Sequence, residues 1–179
     1  GDVDTGDGAD SINLTSGSSL FGSLDAGLGG DRFIQAGTIT GVIDMGADDD
    51  LYDHGGTARI SGNVSMGDGN DTVNVTGTIL SSLIDMGTGN DSLRLTGTIL
   101  SNIALGDGAD VFISFSTRLT NNTLTDLGTG NDLINNSGTI LSSTIDAGSG
   151  DDTITNNNLI VTNQLLLGAG ANLVSNSGT

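Results

Sequence analysis

Five residue types are missing from this chain of 179: it has no Cys, Pro, Trp, Lys or Glu. Without Cys there is no disulfide framework, and with His54 as the single histidine there is no zinc set. That absence fits either secretion without disulfides or simple avoidance of thiols. Without Lys and Glu, the long-chain helix formers are largely gone, and what remains favours strands and turns. Basic residues are reduced to Arg32, Arg59, Arg94 and Arg118 against 22 Asp, for a formal charge of −18. Nucleic acid and anionic membrane surfaces are excluded as partners, because affinity for both rests on Lys and Arg. No apolar run is long enough to span a bilayer, and no signal-peptide or lipidation motif occurs. An acidic chain poor in aromatics can be disordered. Here the 35% of hydrophobic residues are in register, which argues for a packed fold.

What is present in excess is Gly, 30 of them. Gly6, Gly27, Gly46, Gly67, Gly87, Gly106, Gly128, Gly148 and Gly168 recur at spacings of 19 to 22 and open turns of the form Gly-x-Gly-x-Asp. Four residues after each stands Asp10, Asp31, Asp50, Asp71, Asp91, Asp110, Asp132, Asp152 or, at the last, Asn172. Self-similarity at a period of about 20 predicts a solenoid in which one repeat is one coil. The expectation is an all-β, right-handed parallel β-helix of about nine narrow, two-faced coils. It forms a single domain over 1–179. The chain begins within one repeat and stops within another, so it is expected to be a fragment of a longer repeat protein.

Three apolar ranks are predicted as core. The first lies six residues after the opening Gly, in Ile12, Phe33, Tyr52, Val73, Leu93, Phe112, Ile134, Ile154 and Val174. A second lies twelve after, in Ile39, Ala58, Ile79, Ile99, Ile140 and Ile160, with Arg118 as an exception. The third precedes the next Gly by three, from Leu24 and Ile43 to Ile145 and Leu165. Stacking like on like predicts an amide ladder of Asn136, Asn156 and Asn176. It also predicts a threonine row of Thr38, Thr57, Thr78, Thr98, Thr117, Thr139 and Thr179. Leu80, Leu100, Leu119, Leu141 and Val161 are either buried at a corner or an exposed ridge for self-association.

The Asp column poses an electrostatic problem. Neighbouring carboxylates about 4.8 Å apart repel by about 1 kcal/mol per pair in water, and by about 3–4 kcal/mol at an effective dielectric near 20. Four Arg cannot neutralise it. Ca²⁺ suits, since it accepts six to eight oxygens with tolerant geometry and glycine turns expose carbonyls; Mg²⁺ is the weaker candidate.

Asp85-Met-Gly-Thr-Gly-Asn-Asp-Ser-Leu93, Asp126-Leu-Gly-Thr-Gly-Asn-Asp-Leu-Ile134 and Met66-Gly-Asp-Gly-Asn-Asp-Thr-Val73 resemble the repeats-in-toxin (RTX) motif, with its first Gly replaced. The resemblance implies Ca²⁺ between successive turns. The ligands it implies are Asp10, Asp31, Asp50, Asp71, Asp91, Asp110, Asp132 and Asp152, with turn carbonyls near Gly67, Gly69, Gly87, Gly89, Gly128 and Gly130. Asp4, Asp25, Asp44, Asp85, Asp126 and Asp146 are candidate helping ligands. Only one side of each coil carries the motif, so one row of ions is implied. This layout is similar to the calcium-dependent ice-binding β-helix of bacterial adhesins, and autotransporter passengers share the style. The motif is degraded at Gly46-Ala-Asp-Asp-Asp50 and at Gly168-Ala-Gly-Ala-Asn172.

An enzyme needs unlike groups converging in a pocket, and a regular repeat supplies rows. Asp49, Asp50, Tyr52, Asp53 and His54 form the one irregular cluster, read as a variant coil. The expectation is therefore no enzyme but a structural, calcium-stabilised rod of a bacterial surface or secreted protein, extracellular or on the cell surface. The alternatives are an ice-binding face, a carbohydrate-binding β-helix or, less favoured, a polysaccharide-processing one. For ice, only Thr88/Asn90 and Thr129/Asn131 among nine outward pairs carry the full Thr/Asn set.

Overall fold

A computed structural model describes residues 1–115, 118–120 and 124–179. Among them there is no helix, and every strand pairing is parallel, between one coil and the next. The chain is a β-solenoid with turns spaced about 20 residues apart. Nine strands from Ser11–Leu14 to Leu173–Asn176 stack in sequence order as one sheet. A ten-stranded sheet runs from Val3–Asp4 to Leu159–Leu166, and Ser19–Leu20, Thr38–Ile39 and Arg59–Ile60 form a short third one.

Alternation along each strand decides what is inside. In Arg32–Gln35, Phe33 and Gln35 are buried while Arg32 is exposed; Thr72–Val75 does the same with Val73 and Val75. The rank headed by Phe33, Tyr52 and Val73 is core as far as Ile154, and the rank from Leu24 to Ile145 is core as well. At the last coil both ranks emerge, with Val174 and Leu165 exposed. A further column, not foreseen from the sequence, precedes the opening Gly by one: Ala26, Met45, Met66, Met86, Leu105, Leu127 and Ala147 are all buried. Each aliphatic side chain so buried contributes roughly 1.5–3 kcal/mol, and a coil obtains it only against its neighbours.

The turn is held by its two glycines for two separate reasons. The opening glycines have φ between 62° and 102° and the second ones between 111° and 151°, a region L side chains rarely enter. In addition, a Cβ on Gly89 would lie 1.8 Å from the carbonyl oxygen of Gly69 one coil below. Asp48 takes the second-Gly place at φ 82°, so the degraded turn keeps its shape at the expense of backbone strain.

Three expectations need correction, all because the second turn varies in length. Ala58 is buried as expected, but Ile60 rather than Ala58 pairs with Ile39, since Gly55-Gly56-Thr57-Ala58 is a longer turn than Ala36-Gly37. Leu119, not Arg118, is in register with Ile99 and Ile140. The threonine row is consequently interrupted: Arg59 pairs with Thr38 in place of Thr57, and Arg118 lies between Thr98 and Thr139. Thr117 and the side chain of Leu119 lie outside the described residues. Thr120 rather than Leu119 aligns with Leu141. Of the remaining ridge, Leu80 and Val161 are exposed and Leu100 and Leu141 half-buried.

Candidate functional site

The Asp column is a ladder. The backbone N–H of Asp10 donates to Asp31 Oδ1 at 2.7 Å, that of Asp31 to Asp50 Oδ1 at 2.7 Å, and that of Asp50 to Asp71 Oδ1 at 2.8 Å. The chain of bonds continues through Asp91, Asp110, Asp132 and Asp152 and ends where the Asp152 N–H donates to Asn172 Oδ1 at 2.8 Å. Each carboxylate from Asp31 to Asp152 therefore caps the turn of the preceding coil, and stacking brings the eight acids into one line.

One oxygen of each acid is left over. Oδ2 of Asp10, Asp31, Asp50, Asp71, Asp91, Asp110, Asp132 and Asp152 is buried with no hydrogen-bond partner. An ionised carboxylate left so is costly, because burial without a partner penalises the charged form. Desolvation accordingly pushes Asp50 and Asp91 up to about 7, and Asp71, Asp110 and Asp132 up to about 6. The N–H bond from the previous coil opposes the shift, and neighbouring carboxylates add to it.

The last turn shows what the space accepts. Asn172 is nearly isosteric with Asp, and its Nδ2 donates to the carbonyl of Leu167, the residue just before the opening Gly. An Asp in that pose turns Oδ2, an acceptor, toward another acceptor. A proton or a cation between two such oxygens would relieve their repulsion.

The expected helping acids stand elsewhere on the coil. Asp4, Asp25 and Asp44 pair in one outward row of the ten-stranded sheet, and Asp85, Asp126 and Asp146 continue it, interrupted by Ser65 and Ala104. Burial raises the Asp44 carboxyl, and the nearby Asp25 charge adds to it. Asp126 and Asp146 each accept the N–H of their own opening glycine, Gly128 and Gly148, at 3.1 Å. Among the described residues no three acidic or imidazole side chains converge on one point. A cation at this site would therefore rely on carbonyl oxygens beside the column. Those of Gly67, Gly87 and Gly128 already accept N–H groups from the next coil at 2.9 to 3.0 Å, although a carbonyl has two lone pairs. Those of Gly69, Gly89 and Gly130 face the second glycine of the coil above.

The irregular acid–imidazole cluster is taken apart by alternation. Tyr52 and His54 point into the rod, Asp53 out of it, and Asp49 is exposed, accepting the Asn70 N–H at 2.7 Å. Inside, the Tyr52 hydroxyl bonds Gln35 Oε1 and lies 2.8 Å from His54 Nδ1. Burial lowers His54 to about 4. This is a core knot with no access for a substrate. The predicted amide ladder is present: Asn136 Nδ2 donates to Asn156 Oδ1 at 2.8 Å, and Asn156 Nδ2 to Asn176 Oδ1 at 2.7 Å.

Sequence reasoning missed a second, exposed ladder three residues after the opening Gly, in which Asp49, Asn70 and Asn90 cap the next coil in turn and Asn131 and Asp151 do likewise. Its signal was the Asn or Asp before the motif Asp. The outward row beside it stacks in the order Asp7, Leu28, Ala47, Asp68, Thr88, Asp107, Thr129, Ser149 and Ala169, which is not a uniform array. The chain matches no protein-family model, no curated protein and no solved structure.

Proposed function

We propose that the chain is a calcium-stabilised rod segment of an extracellular or cell-surface bacterial protein, with an RTX-like row of ions along the aspartate turns. The observation that carries this reading is the set of eight buried, unpartnered Oδ2 atoms, one per coil, in a chain of charge −18. Asp10 through Asp152 would supply the charged oxygens, and turn carbonyls such as those of Gly69, Gly89 and Gly130 the neutral ones. A bound Ca²⁺ supplies positive charge and many-fold oxygen coordination. The protein's part is to line the oxygens up by its 20-residue period.

Calcium near millimolar concentration, as outside cells, would saturate even weak sites, and that binding energy adds to folding stability. Secretion unfolded and folding outside is consistent with this. The rod spaces whatever lies at its ends, and catalysis is not part of its role.

The test is a thermal melt at pH 8 with and without a chelator, alongside a calcium count. The expectation is a midpoint lowered by tens of degrees, or no fold, once calcium is removed. An unchanged melt in chelator at this pH, where aspartates of pKa about 6 to 7 are largely ionised, overturns calcium as the neutralising device. Asp91→Ala is expected to lower the number of ions bound on both sides of its turn, and replacing Asn172 to do little.

A further inference from the structure

Most rows of this solenoid stack like on like, so a row of unlike, polar residues is where recognition can be built. One such row crosses the outer face of the nine-stranded sheet. Ile34, Asp53, Asn74, Arg94 and Ile113 pair in register, one per coil. Its centre is a carboxylate, an amide and a guanidinium in succession, spanning about 10 Å at the spacing of stacked strands, with an aliphatic residue at each end.

Asp53, Asn74, Val75, Thr76, Arg94 and Thr96 line a depression of about 340 Å³ there. Its groups are held in place. Asp53 accepts from Arg32 Nη2 at 3.1 Å and from Asn74 Nδ2 at 3.0 Å. The hydroxyls of Thr76 and Thr96 donate to the carbonyls of His54 and Val75, both at 3.2 Å, which leaves their oxygens able to accept. Arg94 is different. It makes no ion pair among the described residues, in a chain with 22 Asp, and its guanidinium sits 4.9 Å from the centre of the Phe115 ring. A guanidinium held over an aromatic face is attracted by the ring and keeps its N–H donors available to an acceptor.

We propose that this depression binds a carboxylated saccharide of uronic-acid type. The Arg94 fork takes the sugar carboxylate, a match of planar bidentate geometry. Asp53, Asn74, Thr76 and Thr96 take hydroxyls, with Asp53 as acceptor. Two neighbouring coils supply hydroxyls and two supply the amide and the acid, so the site reads a disaccharide-length stretch of an extended chain. The acidic rod repels such a polymer, and at this depression an Arg94 guanidinium without an ion pair among the described residues, held over the Phe115 ring, offsets that repulsion. The site lies apart from the aspartate turns, so it is independent of the calcium reading.

The test is isothermal titration of the calcium-loaded chain with a galacturonate oligosaccharide and with a neutral glucose oligosaccharide of equal length. Calcium is fixed, and each variant's melting point is recorded to show that it is folded. Binding of the acidic sugar is expected to be at least tenfold tighter than that of the neutral one. Arg94→Gln is expected to weaken it at least tenfold, and Arg59→Gln, on the separate three-stranded sheet, to leave it unchanged. No binding of the acidic sugar, equal binding of the neutral sugar, or equal losses in the two Arg variants would each overturn the proposal.

Discussion

The first three coils and the last three solve the same problem with different residues. Eight after the opening Gly, a buried position faces the second turn, whose backbone groups need partners. In the early coils Gln35 does this, donating to the Gly37 carbonyl at 3.3 Å and the Arg59 carbonyl at 2.8 Å, with Tyr52 and His54 knotted onto its oxygen. In the late coils Asn136 and Asn156 each bond the turn two residues on and also the next Asn. Between them Val75 and Leu95 fill the place with apolar volume. The third side differs too: Gly22, Gly41 and Gly62 break it into short strands early, whereas Thr78–Asp85, Thr139–Asp146 and Leu159–Leu166 run unbroken. The repeat therefore constrains the aspartate turn tightly and the rest of the coil only by volume and hydrogen-bond need.

The sharpest way to break that comparison is Tyr52→Ala. It removes a fully buried ring stacked on Phe33 at 5.4 Å and leaves Gln35 Oε1 and His54 without its hydroxyl. The expected loss is about 3–5 kcal/mol in chemical denaturation. Because coils touch only neighbours, hydrogen exchange is expected to accelerate in the first three coils first. Uniform acceleration along the rod would show one cooperative unit instead.

In the late coils, Asn156→Ala removes the middle rung, so Asn136 Nδ2 loses one acceptor and Asn176 Oδ1 its donor. About 1–3 kcal/mol is the expected cost. Asn156→Gln is expected not to rescue it, because the longer side chain cannot keep the register of the ladder. If Asn156→Ala is neutral in the same denaturation assay, the rungs are ornamental and burial alone holds that corner.

A pH titration separates the buried knot of the early coils from the aspartate column by sign. His54 has a folded pKa lowered to about 4, from an ordinary value of 6.5, so its contribution is present above 6.5 and is lost as pH falls toward 4. The aspartates with pKa raised to about 6 or 7 do the opposite when no cation is bound: their protonation favours the fold at low pH, and stability is lost as pH rises through 6 to 7. In chelator, melting points are expected to fall from pH 5 to pH 8. With calcium they are expected to rise over the same span, since the ligands must be ionised. His54→Gln is expected to remove the acid-side loss while leaving the calcium effect intact.

The period, the parallel solenoid, two core ranks and the Asn ladder were legible because each depends on spacing from a glycine that cannot move. Ala58, Arg118 and Leu119 were misplaced because a fixed offset of twelve passes through a turn of variable length. The methionine and leucine column before each Gly was overlooked because Ala26 and Ala147 dilute its pattern. At the site, the line of aspartates could be read from sequence. The division of labour within each carboxylate could not, because it depends on which oxygen meets the N–H of the coil before.

The smallest effect, and the finest test of the turn, is Asp48→Gly. Asp48 is the one described non-glycine residue with positive φ, at 82°, a conformation whose cost for such a residue is roughly 1 kcal/mol or more. Its backbone N–H bonds the Asp68 carbonyl at 2.7 Å, a contact glycine keeps. Its charge lies close enough to raise the Asp50 carboxyl further, so removing it also eases the column. Against these gains stands the greater entropy that glycine loses on folding, about 0.5–1 kcal/mol. The expected balance is a stabilisation of a few tenths to about 1 kcal/mol, read as a small rise in melting point, with calcium binding at Asp50 unchanged or tighter. A drop in melting point would mean that the Asp48 side chain itself holds the turn, and that the early coils replace a glycine by an interaction rather than by tolerated strain.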